Sequence, residues 1–297
     1  PVFVNITDAN NNVSTESTTV SVIDNNAPTI STQDVTMYLD ASGNVTLAAT
    51  DFDTGTTDAC GTPALSINPS TVTCDNVGIT PITFTATDDE GNSASQIAYL
   101  MLTDNTSPMA QAQDMTVQLN QNGNAVITAA AINNGSSDNC GDVTLMLDQM
   151  SFDCSHIGAN TVTLTATDEE GNTNQTTAVV TVEDNIQPTV NTQDITVYLD
   201  ANGSATITPS MINDGSYDNC QQALTYALNQ TVFTCAHLGA TNTVTLTVTD
   251  AEGNGGVGSA NVTVVDNLPP VISTQTATAS LDANGQASVS ASDFITS

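Results

Sequence analysis

Hydrophobic and polar residues alternate one for one through much of this chain. VTLTATD (162–168), TVTLTVTD (243–250) and ITVYLD (195–200) place an apolar side chain at every second position. That period of two is the signature of a half-buried β-strand. Thr and Val dominate the runs, and branching at Cβ suits both to a pleated surface. No stretch has a helical period, and no apolar run approaches the ~18 residues of a membrane span.

The pattern then repeats on a larger scale. Asp24-Asn25, Asp104-Asn105, Asp184-Asn185 and Asp266-Asn267 recur at steps of 80, 80 and 82 residues. Pro28, Pro108, Pro188 and Pro270 keep the same phase, as do Cys60, Cys140 and Cys220, and Cys74, Cys154 and Cys235. Asp8, Asp88, Asp168 and Asp250 follow suit. Three complete repeats are expected at 28–107, 108–187 and 188–269, between the last third of one repeat (1–27) and the first third of another (270–297). A chain with such ends is expected to come from a longer array.

Each repeat reads as about seven short strands, which predicts an all-β fold of tandem immunoglobulin-like β-sandwich repeats arranged end to end. In the second repeat, strands are predicted at 114–120, 125–131, 143–147, 161–167 and 176–182. QNGN (121–124) supplies a hairpin turn whose glycine takes a positive φ. The linker DNIQP (184–188) is short, and Pro188 stiffens it.

Composition sharpens this picture. The chain holds 32 acids and neither Lys nor Arg, a formal net charge of −32. It therefore offers no electrostatic footprint for nucleic acid or an anionic membrane surface, and none of its acids can meet a lysine or arginine. The alternating apolar content, 39% of residues, argues against disorder.

Six cysteines suffice for three disulfides. The simplest connectivity is within each repeat: Cys60–Cys74, Cys140–Cys154 and Cys220–Cys235. Closing a loop of ~15 residues is worth about 3 kcal/mol in the chain-entropy model and implies an oxidising, extracellular setting. His156 and His237 follow a cysteine by two residues, but no CxxC accompanies them and the first repeat has Asn76 there, which argues against zinc.

In a sandwich whose first and last strands run in the same direction, the incoming linker, the loop after the second strand and the turn between the last two strands share one end. Acids mark all three. The expected metal ligands are Asp24, Asn25, Asp58, Asp88 and Glu90 for the first repeat, and Asp104, Asn105, Asp138, Asp168 and Glu170 for the second. Asp184, Asn185, Asp218, Asp250 and Glu252 serve the third, and Asp266 opens the next linker. Calcium takes six to eight oxygens, and such a cluster supplies them; the competing reading is that Asp, Asn and Gly merely form turns.

DNCG (138–141), FDCSHIGANTVTLTATDEEGNT (152–173) and VEDNIQPTV (182–190) resemble the hyalin (HYR) repeat, an immunoglobulin-like extracellular module. TITPSMINDGSYDNC (206–220) and TVYLDANG (196–203) are similar to repeats of very large surface adhesins of gliding Bacteroidetes, the SprB type. The resemblance implies type IX secretion, surface anchoring and a role in adhesion or gliding motility. Stricter hyalin repeats place another cysteine before the first strand, where this chain has Thr32, Ala112 and Thr192, so one disulfide per repeat is expected.

The expected function is a structural stalk or filament segment of a cell-surface adhesin, stiffened by calcium. Its partners would be neighbouring repeats and, at the adhesive end, a surface polysaccharide or an abiotic surface. The alternative is a carbohydrate-binding module using Tyr38, Tyr198, Tyr217 and Tyr226, although aromatic residues are only 4% and Trp is absent. Paired carboxylates such as Asp168 and Glu170 suit glycoside chemistry, but acids at every turn of a repeat do not single out an enzyme site.

Overall fold

The computed structural model describes residues 1–296. It is all-β, with sandwich-like repeats and, among the described residues, only single-turn helices. No helix among the described residues is long and apolar enough to cross a membrane. The chain divides into two compact units, Pro1–Met115 with Ile127–Met150 and Ala159–Thr181, and Thr116–Val126 with Ser151–Gly158 and Val182–Ser297. The second repeat contributes to both.

In the first unit, the first repeat forms a four-stranded sheet in the order Val35–Tyr38, Ser93–Thr103, Gly78–Thr87, Ala64–Asn68. Its opening strand pairs in parallel with the closing one, Val35 opposite Leu100 and Tyr38 opposite Thr103. The two central strands are antiparallel, from Gly78 opposite Leu102 to Thr87 opposite Ser93. The facing layer pairs Asn44–Thr46 with Thr71–Thr73, and isolated bridges tie Thr29 to Thr57 and Thr32 to Asp53. The alternation does what it predicts: Ile82, Phe84 and Ala86 are buried and meet buried Ala98, Leu100 and Leu102, while Thr83 and Ile97 face out. The second unit repeats the plan in the third repeat, with Ile195–Tyr198 parallel to Gly255–Val265 and a core around Phe233, Ile212 and Leu246.

The second repeat's strands fall at Met115–Gln118, Asn124–Val126, Thr144–Leu147, Gly158–Thr167 and Thr173–Glu183. The predicted strand 125–131 is cut short at Val126; Thr128 caps a helical turn, Ala129–Ile132, by accepting from Ala131 N–H, and that turn buries Ile132. Asp34, Asp114 and Asp194 each anchor their opening segment to the last strand, accepting from the N–H of Tyr99, Val179 and Asn261 at 2.7–2.8 Å.

Chain direction gives each repeat a leading end, where the linker arrives, and a trailing end. Gly78 lies opposite Leu102, near the outgoing linker, and Thr87 opposite Ser93, at the turn that meets the incoming one. Between Cys60 and Cys74 the chain runs back the other way, through Ala64–Asn68 and Thr71–Thr73. Cys60 is thus left at the leading end and Cys74 at the trailing end, some ~30 Å apart at ~3.3 Å per residue. A disulfide needs Cα atoms within about 7 Å.

The expected pairs Cys60–Cys74, Cys140–Cys154 and Cys220–Cys235 are therefore corrected. Cys74 bonds Cys140, with Cα atoms 5.3 Å apart, and Cys154 bonds Cys220, at 5.5 Å. Each bridge crosses a repeat junction, the first inside the first unit and the second inside the second. Cys60 and Cys235 are free and exposed.

At the start of the chain, Val2–Thr7 and Val13–Thr18 form an exposed hairpin. In residues 270–296, Thr274 bridges Ile295 as Thr32 bridges Asp53.

Candidate metal centre

The leading end of each repeat is assembled by short polar turns. In the D-x-x-G-N turn, Asp88 accepts from Asn92 N–H at 2.7 Å through one carboxylate oxygen, and from the Asn92 amide at 2.7 Å through the other. That amide also donates to the linker carbonyl of Asp24. Asp168 and Asn172 do the same with Asp104, and Asp250 and Asn254 with Asp184. The shared turn chemistry thus fastens the last hairpin to the incoming linker, and this is the structural half of what the acids do.

The linker aspartates share a second pattern. Asp24, Asp104, Asp184 and Asp266 each accept, through Oδ1, from the N–H two residues on. The loop aspartates Asp58, Asp138 and Asp218 accept from the N–H of Cys60, Cys140 and Cys220. One oxygen of each carboxylate positions the loop and the other is left over.

Those leftover oxygens mark the site. Asp104 Oδ2, Asp138 Oδ1 and Asn139 Oδ1 at one junction, and Asp184 Oδ2, Asp218 Oδ1 and Asn219 Oδ1 at the next, are buried and meet no protein donor. Asp104 is 1% exposed and Asp184 3%. A buried acceptor without a donor costs about 1–3 kcal/mol, and more when charged. In the second unit, ligand oxygens of Asp184, Asp250 and Glu252 lie within 4.8 Å of one another. Asp184 and Asp218 are grouped equally closely with the sulfur of Cys220, which is spent in its disulfide. Two carboxylates at that spacing repel by about 3 kcal/mol at an effective dielectric of ~20.

The electrostatics agree. Burial, reinforced by the charges of Asp184 and Asp250, pushes the Asp218 carboxyl above the ordinary aspartate value. Desolvation, followed by Asp168, Asp104 and Glu169, pushes Glu170 up. All the available donors are hard oxygens, and the site is closed to a protein cation because the chain has no Lys or Arg. This donor set fits calcium, with water completing the coordination.

The first repeat's leading end is a weaker version. Asp24, Asp58 and Cys60 converge within the same 4.8 Å, but the acids are half-buried and the thiol is exposed. Asp24 Oδ2 has no donor in hydrogen-bond geometry, yet the adjacent Cys60 thiol and the Asn26 N–H hold the Asp24 carboxyl below its ordinary value. Asp24, with Asp58 and Glu90 nearby, pushes the Cys60 thiol up to about 11.

Of the expected ligands, Asn25, Asn105 and Asn185 stay exposed; Asn185 donates instead to Gln118 at 2.6 Å. Asp88, Asp168 and Asp250 are largely engaged by their asparagines. Glu252 is exposed and accepts from Gln222. Asp266 is exposed at the last linker. Sequence reasoning missed Asn139 and Asn219. Their amides donate back to the carbonyls of Asp40 and Asn120 in the preceding repeat, while Oδ1 is left in the cluster. The DNC spelling of two loops against DAC in the first was the available signal. The histidines cap: His156 and His237 present Nδ1 to the N–H of Asp153 and Thr234, where Asn76 presents Oδ1 to Thr73.

Tyr38, Tyr198 and Tyr217 are well exposed and Tyr226 marginally so. Tyr217 and Tyr226 line an open pocket of about 290 Å³. The first repeat carries an apolar outer face, with Ile79, Ile97, Tyr99 and Met101 exposed.

No family model and no curated protein matches the chain. Among solved structures, it is similar to the EC22-24 segment of mouse cadherin-23, at 17% identity over 82% of this chain and 100% of that one, with a TM-score of 0.35. Titin domains I67-I69 align at 10% identity over 80% of this chain and 98% of that one, TM-score 0.37. The human desmocollin-1 ectodomain aligns at 11% over 86% and 65%, TM-score 0.30. At TM-scores of this size the likeness carries no argument about function. What stands is an all-β chain of tandem immunoglobulin-like sandwich repeats, read from its own strands and bridges.

Proposed function

We propose that this chain is a non-enzymatic structural segment of an extracellular, cell-surface adhesion protein, a stalk or filament whose repeat junctions are stiffened by Ca²⁺ and by disulfides. The repeats are those expected at 28–107, 108–187 and 188–269. The observation that carries the reading is the set of buried acceptor oxygens without donors at the 104/138/139 and 184/218/219 junctions, in a chain with no Lys or Arg. A divalent cation there satisfies those oxygens, cancels the mutual repulsion, and ties linker, loop and turn into one body. The two bridges support an oxidising, extracellular location. Attachment or gliding motility is the role that the resemblance to surface-adhesin repeats suggests.

Calorimetric titration tests the metal. The expected result is two comparable sites at ~10⁻⁴–10⁻³ M, the range of extracellular modules, with Mg²⁺ much weaker and a narrower spread of particle dimensions by small-angle scattering on loading. Absence of heat, and scattering unmoved by EDTA, would end the reading. A carbohydrate-binding role has one observation in its favour, the Tyr217–Tyr226 pocket, and a glycan array on the wild type and Tyr226→Ala separates the two.

A further inference from the structure

Two of the three trailing ends in this chain hold a loop of the following repeat, and the holding parts are the same. In the second unit, the turn Asn120–Asn124 brings Gly123 against Cys154. Cys154 Sγ lies 3.7 Å from the Gly123 carbonyl and 3.8 Å from that of Asn219. Asn219 donates to the Asn120 carbonyl at 3.4 Å, and Cys220 closes the bridge. Gly123 is needed twice: its φ is +71°, and a Cβ there would stand 2.7 Å from Cys154 Sγ and 2.9 Å from the Asn219 carbonyl. In the first unit the turn Asp40–Asn44, Gly43 and Cys74 hold Asn139 and Cys140 alike.

The third trailing end has every holding part. Asp200 N–H donates to Ser204, Gly203 N–H donates to Asp200, and Gly203 has φ +71°. A Cβ on Gly203 would stand 3.0 Å from Cys235 Sγ, and that sulfur lies 3.9 Å from the Gly203 carbonyl. The Asp200 carbonyl takes the place of those of Asp40 and Asn120. Beside them opens a pocket of about 430 Å³, lined by Leu199, Asp200, Gly203, Asp266, Leu268 and Pro270. In the two closed junctions, the loop belongs to the repeat that the linker enters.

We propose that the trailing end of the third repeat is a docking site for the Asp-Asn-Cys loop of a further repeat of this kind, held in series behind the 266–270 linker and closed by a disulfide to Cys235. The cysteine expected to reach it lies seven residues after the bridge residue of its own repeat, as Cys60, Cys140 and Cys220 follow Asp53, Asn133 and Asn213. Series binding, rather than a second copy, follows from the linker forming one wall of the pocket. This inference does not depend on calcium. Its consequence is mechanical: each disulfide spans a linker, so tension bypasses the linker and runs through the bridges.

Two experiments test it. In the first, the chain is treated with the peptide Ser-Ser-Asp-Asn-Cys-Gly activated as its mixed disulfide with 5-thio-2-nitrobenzoate. The Cys235 thiolate attacks the peptide sulfur, the new S–S bond forms, and thionitrobenzoate leaves with the electron pair and is read by its colour. Normalised to the same activated disulfide of cysteamine, the peptide should label Cys235 at least tenfold faster than Cys60, and the Asp-Ala-Cys peptide should lose most of that advantage. Equal normalised rates at the two thiols overturn the proposal. In the second, residues 270–297 are replaced by the sequence of 108–187. Non-reducing peptide mapping should find Cys235 bridged within one chain to the grafted Asp-Asn-Cys cysteine. A Cys235 that stays open to alkylation, or that appears bridged to Cys60 in a dimer, overturns it.

Discussion

The leading ends of the first and third repeats carry the same acids and behave differently. At the third repeat's leading end, one oxygen each of Asp184, Asp218 and Asn219 is buried without a donor, and burial, with the charges of Asp184 and Asp250, raises the Asp218 carboxyl above its ordinary value. Around Asp24 and Asp58, the acids are half in water, and a free thiol beside Asp24 keeps its carboxyl low. The third repeat has Asn219 held by the Asn120 carbonyl and Cys220 bonded to Cys154; the first has Ala59 and a free Cys60. The cluster acids alone do not bury such oxygens. The preceding repeat's trailing end does so, by capping the loop that carries Asp218 and Asn219.

The largest effect expected from breaking this contrast comes from the bridge. Cys154→Ser with Cys220→Ser opens a closed loop of separation 66, worth about 4 kcal/mol in the chain-entropy model. Calorimetric melting in EDTA should show the loss, and the double variant should also bind calcium more weakly at the third repeat. A double variant that melts with the wild type would mean that the bridge adds nothing to the junction.

Calcium comes next. At ten to a hundredfold over its dissociation constant, it should add about 1.4–2.7 kcal/mol per site, read as an upward shift in melting temperature. Asn219→Ala should remove most of the third repeat's share, because it deletes one ligand and the hydrogen bonds to Asn120 and Asp184. Asn219→Asp keeps the oxygen and should retain affinity, which a purely structural Asn219 would not.

Ala59→Asn sharpens the comparison from the other side. By itself it should leave the first site weak, since no trailing end covers it among the described residues; a titration of this chain showing a third strong site would refute the capping argument.

The smallest effect is in pH. In metal-free protein, Asp218 titrates above its unfolded value of 3.8, so its penalty is full at neutral pH and fades as the pH falls through the folded value. Asp40 and Asp200 are held below 3.8 by their turn N–H groups and, for Asp40, by the Ser42 hydroxyl first of all, so their stabilisation is lost only under more acid conditions. The melting temperature in EDTA should rise slightly from pH 7 to about pH 4 and fall below it. Calcium should abolish the rise.

Much of this was legible in residue order. Alternation located the long strands because a pleated sheet turns successive side chains to opposite faces. The asparagine-glycine turns announced themselves through the positive φ of Gly123 and Gly203, but the strands flanking the expected 121–124 hairpin join different sheets, Met115–Gln118 beside the last strand and Asn124–Val126 against Ser151–Asp153. The clustering of linker, loop and turn acids followed from strand direction alone. The strand expected at 125–131 was not legible as a strand plus a helical turn, because Ala129–Ile132 is helical for one turn only and its burial of Ile132 is a matter of packing.

The disulfides mark the limit. Thirteen residues between Cys60 and Cys74 look the same whether the chain doubles back or crosses the whole sandwich, and the count of residues does not carry direction. The sequence by itself determined the long strands, the period, the turn chemistry and the absence of Lys and Arg, since these rest on local sterics and composition. Only the tertiary structure decided that Cys74 reaches Cys140, that Asn139 and Asn219 join the acids, and that water leaves their oxygens. Those outcomes depend on which end of one sandwich is pressed against the next.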